Sequence, residues 1–130
     1  MDLIQKIKKL QRNFQLKNFE EAINQGEEIL KEEPNNVYVL NLCGLALQNL
    51  KQINLSIKFF EKVISLEKQN IPAMNNLANS YKSLGKLKHS KNLYLKVLKV
   101  DPKNLQALHN FANLKKYLMD FKGAIKFYIR

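Results

Sequence analysis

Between residues 73 and 84 the apolar side chains fall at Met74, Leu77, Ala78, Tyr81 and Leu84, with polar residues between them. Steps of three and four put all five on one face of an α-helix. Gly85 interrupts the stripe, and glycine is the residue that most readily ends a helix in a left-handed turn. A second stripe runs through Leu87, Ser90, Leu93, Tyr94, Val97 and Leu98, and Asp101-Pro102 closes it. Proline lacks an N–H and its ring clashes with the preceding turn, so it cannot continue a helix interior. The stretch Asn70 to Asn104 is predicted to be two amphipathic helices and a turn.

Moved by 34 residues, this unit meets copies of itself. Leu16, Leu50, Leu84 and Leu118 form an unbroken column, and Ala22, Ser56, Ser90 and Ala124 form a column of small residues. Phe19, Ile53, Leu87 and Phe121 are all large and apolar, and Asn36, Asn70 and Asn104 end three successive units. Gly26 breaks a column otherwise filled by Phe60, Tyr94 and Tyr128. A fixed period of this length is the mark of a repeat array in which each unit buries its apolar face on the next. Small residues at Gly44, Ala78 and Ala112 on the first helices, and at Ser56, Ser90 and Ala124 on the second, let paired backbones approach closely; bulk there overpacks the contact.

The expected architecture is all-α: a solenoid of about 3.75 units and seven to eight helices, divided as 3–36, 37–70, 71–104 and 105–130. In the first unit Lys6, Lys9 and Asn13 take columns that are apolar later, while Leu3, Ile7, Leu10 and Phe14 make the stripe. A helix over 2–16, turned or shifted against its equivalents and acting as a cap, is expected. The last unit stops at Arg130 inside its second helix. Solenoids end in polar capping helices, so either the natural chain continues as an N-terminal fragment would, or the open end is buried against another copy.

Charge is unevenly placed. The net of +11 divides as −1, +2, +6 and +4 over residues 1–36, 37–70, 71–104 and 105–130. A basic half suits an acidic partner or nucleic acid. Yet only Arg12 and Arg130 are arginine, and base and phosphate recognition leans on arginine forks. The abundance of Lys, Asn and Ile is also what an AT-rich coding sequence supplies. Most lysines of the basic half, among them Lys86, Lys88, Lys91, Lys96 and Lys99, fall on second helices or turns, and nucleic acid is therefore not the expected partner. The lone Cys43 sits in an apolar column, and no Cys/His cluster at metal-ligand spacing exists. No signal peptide or run long enough to span a membrane is seen. A cytoplasmic location, no membrane partner and no cofactor are expected. Neither His89 nor His109 shares a unit face with a carboxylate at catalytic spacing.

The pattern resembles the tetratricopeptide repeat. The resemblance rests on Leu77-Ala78, Tyr81, Ser90, Tyr94 and Pro102, on Cys43-Gly44, Leu47, Ser56 and Phe60, and on Phe111-Ala112, Ala124 and Tyr128. The family's usual tryptophan is replaced by Leu40, Met74 and Leu108, and Lys115 stands in place of an aromatic. The resemblance implies a right-handed superhelix whose concave groove is lined by each unit's first helix. It also implies an adaptor that is not itself an enzyme, although catalysis in a domain beyond residue 130 is compatible with it.

The expected groove residues are Tyr38, Asn41, Asn75, Asn76, Asn79, Lys82, His109, Asn110, Asn113, Lys116 and Tyr117. Asn76 and Asn110 are 34 residues apart, as are Asn79 and Asn113. An amide carries two donors and an acceptor, and a row of them can bond the backbone of an extended peptide. This is similar to the asparagine ladder of the O-linked N-acetylglucosamine transferase superhelix. A second mode of the family, the carboxylate clamp for acidic C-terminal tails, is disfavoured: Ile7, Gln11 and Leu42 stand where it would place a lysine and two asparagines, and, one unit on, Gln106 and Asn110 where it would place a lysine and an arginine. The expectation is a scaffold for a protein or peptide, with Lys82 and Lys116 admitting an acidic one.

Overall fold

The computed structural model describes residues 1–116. Six helices follow one another: α1 (Leu3–Gln15), α2 (Phe19–Glu32), α3 (Val37–Asn49), α4 (Ile53–Leu66), α5 (Ile71–Ser83) and α6 (Leu87–Val100). A seventh, α7, covers 105–116. First helices begin at residues 3, 37, 71 and 105, and second helices at 19, 53 and 87, so the 34-residue period holds to the residue.

That corrects the expectation for α1. It spans 3–15 and is not shifted against its equivalents. Its polar residues have another cause. The column of Lys9 is filled in α3 by Cys43, which lies against Gly26 of the preceding second helix. Among the described residues no second helix packs on this face of α1. Lys9 is exposed, Lys6 pairs with Glu32 at 2.9 Å, and Asn13 donates to Gln25 Oε1 at 2.9 Å. Asp2 and Gln5 close the helix N-terminus reciprocally, at 2.8 and 3.1 Å, which satisfies donors that the helix leaves unpaired.

The turns between units follow one recipe. Asn36, Asn70 and Asn104 each accept the backbone N–H three residues on, at 2.9–3.0 Å, capping α3, α5 and α7. Each asparagine also donates to a carboxylate three residues back: Glu33, Glu67 and Asp101. The turn therefore survives the loss of proline at Lys68. Within units, Gly85 has φ +76 as its place after a helix demands, but Lys17 and Lys51 adopt the same left-handed conformation (φ 63 and 65) in the same column.

Helix pairs are set by complementary bulk. A Cβ on Gly44 would lie 2.5 Å from the Phe60 ring. Ala78 and fully buried Tyr94 repeat this small-against-aromatic contact one unit later. In the first unit the order reverses: Leu10 is the buried large residue and Gly26 the small one. The break in the aromatic column opens space for Cys43 of the next helix. A Cβ on Gly26 would overlap Cys43 Sγ.

Gly26→Ala is expected to cost stability despite its better helix propensity, because overpacking of roughly 1–3 kcal/mol opposes a propensity gain of about 1. Adding Cys43→Ala should recover about 1 kcal/mol relative to the sum of the single changes. Urea unfolding of the four variants measures this, and strict additivity would contradict the contact.

Candidate functional site

The first helices touch one another, α1 with α3 and α3 with α5, in addition to their own second helices. No comparable packing joins α2 to α4 or α4 to α6. Rows that converge on one side and spread on the other make a curved stack, with the first helices on the inside. The candidate site is this inner face.

Tyr38 is 47% exposed on it, and its hydroxyl accepts from Gln11 Nε2 at 2.6 Å. This bond ties α1 to α3. Asn76 and Asn110 are half-buried on α5 and α7. Neither side chain makes a hydrogen bond among the described residues. His109, Asn113, Lys82 and Lys116 are exposed, and Asn113 Nδ2 lies 3.2 Å from His109 Nε2, one turn away. Tyr117 lies outside the described residues.

Asn75 does not belong to the groove. It is 1% exposed and donates to Asn104 Oδ1 at 3.3 Å. Asn41 makes the same, longer contact with Asn70 at 3.5 Å and is half-buried. This column meets the cap of the next unit's first helix, so these amides hold successive units together. The buried carbonyl of each has no protein partner among the described residues.

Asn79 is only partly available. Its Oδ1 accepts the hydroxyl of Tyr94 from the paired second helix. The register explains the pairing. Phe60, which has no hydroxyl, faces a unit whose equivalent position is Leu45; Tyr94 goes with Asn79; Tyr128 goes with Asn113 in sequence.

Two polar residues outside the expected site matter more than the sequence suggested. Gln11 supports Tyr38. Gln48 reaches from α3 to α5, donating to Asn76 O at 3.0 Å and to Ser80 Oγ at 2.8 Å. Ser80 in turn meets Ser56 Oγ of α4 at 2.9 Å. Of the two serines, Ser56 reads in the sequence only as a small packing residue.

The remaining reactive groups are engaged structurally. Cys43 is buried, and burial, assisted by Glu27, pushes its thiol up to about 12. The thiolate is therefore excluded from the folded state, and the protein loses stability as pH rises above about 9, the unfolded value, toward that value. His89 is exposed and lies with its ring centroid 5.1 Å from that of Tyr81. Among the described residues no three His, Cys, Asp or Glu side chains form a group that could hold a metal, and no helix is long and apolar enough to cross a membrane.

Tyr94→Phe should destabilise the chain by about 1–2 kcal/mol, since it strips a partner from a half-buried carbonyl. Tyr94→Phe with Asn79→Leu copies the Phe60–Leu45 pairing and should recover most of that loss. Thermal unfolding of the single and double variants reads this; an equally unstable double variant would mean that the hydroxyl–amide bond is not what holds Asn79.

The family model of the tetratricopeptide repeat matches residues 37–70 and 71–104, just over half of the chain. No curated protein matches it. Among solved structures it is similar to the first TPR of Spaghetti (RPAP3), bound to HSP90 peptide SRMEEVD. That match has a TM-score of 0.84 at 20% identity and covers 89% of this chain and 92% of the other. The second TPR domain of human RPAP3, in complex with HSP70 peptide SGPTIEEVD, gives 0.81 at 20% identity over 86% and 93%. The Sgt2 TPR domain from Aspergillus fumigatus gives 0.84 at 14% identity over 91% and 80%. On its own repeat period and on these matches, the chain belongs to the tetratricopeptide repeat family.

Proposed function

We propose that the chain is a protein-interaction scaffold that holds an extended peptide, or an extended segment of a partner domain, along its inner face. One observation carries the reading. Asn76 and Asn110 sit at equivalent places on successive first helices, partly open, with no hydrogen bond to any described residue. Two amides in register can bond a peptide backbone at two points without reading its side chains. Exposed Tyr38 adds an aromatic contact, and Lys82 and Lys116 favour a ligand with acidic residues. Two similar structures hold acidic peptides, but the residues of the clamp are not rebuilt here. Ile7, Gln11 and Leu42 replace its lysine and asparagines, and the amide of Gln11 is already engaged with Tyr38. The ligand is therefore not expected to be held by that clamp. The lysines of α6 lie on a second helix, away from the inner face, so they do not favour nucleic acid in the groove. A lone, buried thiol is at home in a reducing compartment such as the cytoplasm.

Peptides selected from a random library on this chain should bind Asn76→Ala and Asn110→Ala about three- to tenfold more weakly each, on the order of 1 kcal/mol per lost pair of hydrogen bonds. Isothermal titration calorimetry gives the comparison. Unchanged affinity in both variants, with melting temperatures also unchanged, would remove the amides from the contact surface.

A further inference from the structure

The junction between the second and third units is sealed by a polar bridge: Gln48 of α3, Ser80 of α5 and Ser56 of α4. Thirty-four residues on, the same three places hold Lys82, Leu114 and Ser90. Leucine can neither accept from Lys82 nor bond the serine. Ser90 Oγ is fully buried, with no hydrogen-bond partner among the described residues. The bridge is absent, and a cleft of about 370 Å³ opens instead, lined by Lys82, Gly85, Leu87, Asn113 and Leu114. It brings together two of the expected groove residues, a cation and an amide, over an apolar floor.

Resting on the peptide-scaffold reading, we propose that this cleft is a specificity pocket for a carboxylate carried on an apolar stem. Half-buried Leu87 sheds water against the stem, while Lys82 and the Asn113 amide donate to the carboxylate. Donors to an ionised acceptor bind more strongly than to a neutral one, so the pocket discriminates Glu from Gln. Charge favours an anion over a cation as well: the described chain from Lys68 to Lys116 contains one acidic residue, Asp101, which accepts from Asn104. The carboxylate has two sources, an internal glutamate or the C-terminus of a chain ending in an apolar residue.

The test uses the 130-residue chain, isotopically labelled, and three synthetic peptides in one Ala/Ser host. One has a central Glu, one has Gln there, and one ends in Leu with a free carboxylate. The Glu or the Leu-acid peptide should shift the Gly85 backbone signal and the Asn113 side-chain signal, and whichever does so identifies the source. The Gln peptide should bind about tenfold more weakly than whichever peptide does so, and Lys82→Gln should remove that difference. Lys82→Gln with Leu114→Ser rebuilds the bridge of the preceding junction. It should abolish the Gly85 and Asn113 shifts under conditions where its spectrum is otherwise that of the folded parent, although the loss of buried Leu114 lowers its melting temperature. Equal binding of the Glu, Gln and Leu-acid peptides, or shifts confined to Asn76 and Asn110, would overturn the pocket and leave the scaffold standing. Silence at every inner-face signal, Tyr38, Asn76 and Asn110 included, would overturn both.

Discussion

The distance between paired helices depends on one contact, a small residue on the first helix against a large one on the second. Gly44 leaves no room for a Cβ beneath Phe60, and Ala78 lies in the same cluster as Tyr94. Close-packed interiors respond to bulk at the level of single methylenes. The second and third units therefore couple two positions sixteen residues apart before any neighbour is considered. In the first unit the aromatic is missing, and the space above Gly26 is the space Cys43 of the next unit occupies.

The same contact decides part of the inner face. A tyrosine seated against Ala78 delivers its hydroxyl to Asn79, whereas Phe60 against Gly44 leaves Leu45 apolar. Packing between a unit's two helices thus determines how much of the amide row is bonded within the chain. The asparagines divide by role. Asn36, Asn70 and Asn104 cap helices, Asn41 and Asn75 hold those caps, Asn79 accepts from Tyr94, and Asn76 and Asn110 stay partly open.

Those roles mark the limit of what the sequence makes legible. Helix number, period, pairing and the buried columns are all readable, because apolar spacing and packing volume leave a periodic trace. The roles of polar residues leave a weaker one. Asn75 and Asn76 are neighbours of the same type, rotated by about 100° on the helix, and only the position of the next unit's cap separates a buried bridge from an open amide. The expected shift of α1 failed for a related reason. Lys6 and Lys9 read as a broken stripe, but Lys9 is simply exposed and Lys6 pairs with Glu32 of α2. Lys17 and Lys51 hide turns that only Gly85 announces, since lysine is not the residue that left-handed backbone favours.

Similarity to solved repeats at 14–20% identity over most of the chain shows how few positions the fold needs. The small columns, the aromatic partner, and the acid and asparagine of the turn together constrain the helix pairs. The junction positions are under no such demand. Gln48 with Ser80 and Lys82 with Leu114 support the same helix placement 34 residues apart, although one junction is bridged and the other open. A repeat fold can therefore change what it binds at a junction without changing how it stacks.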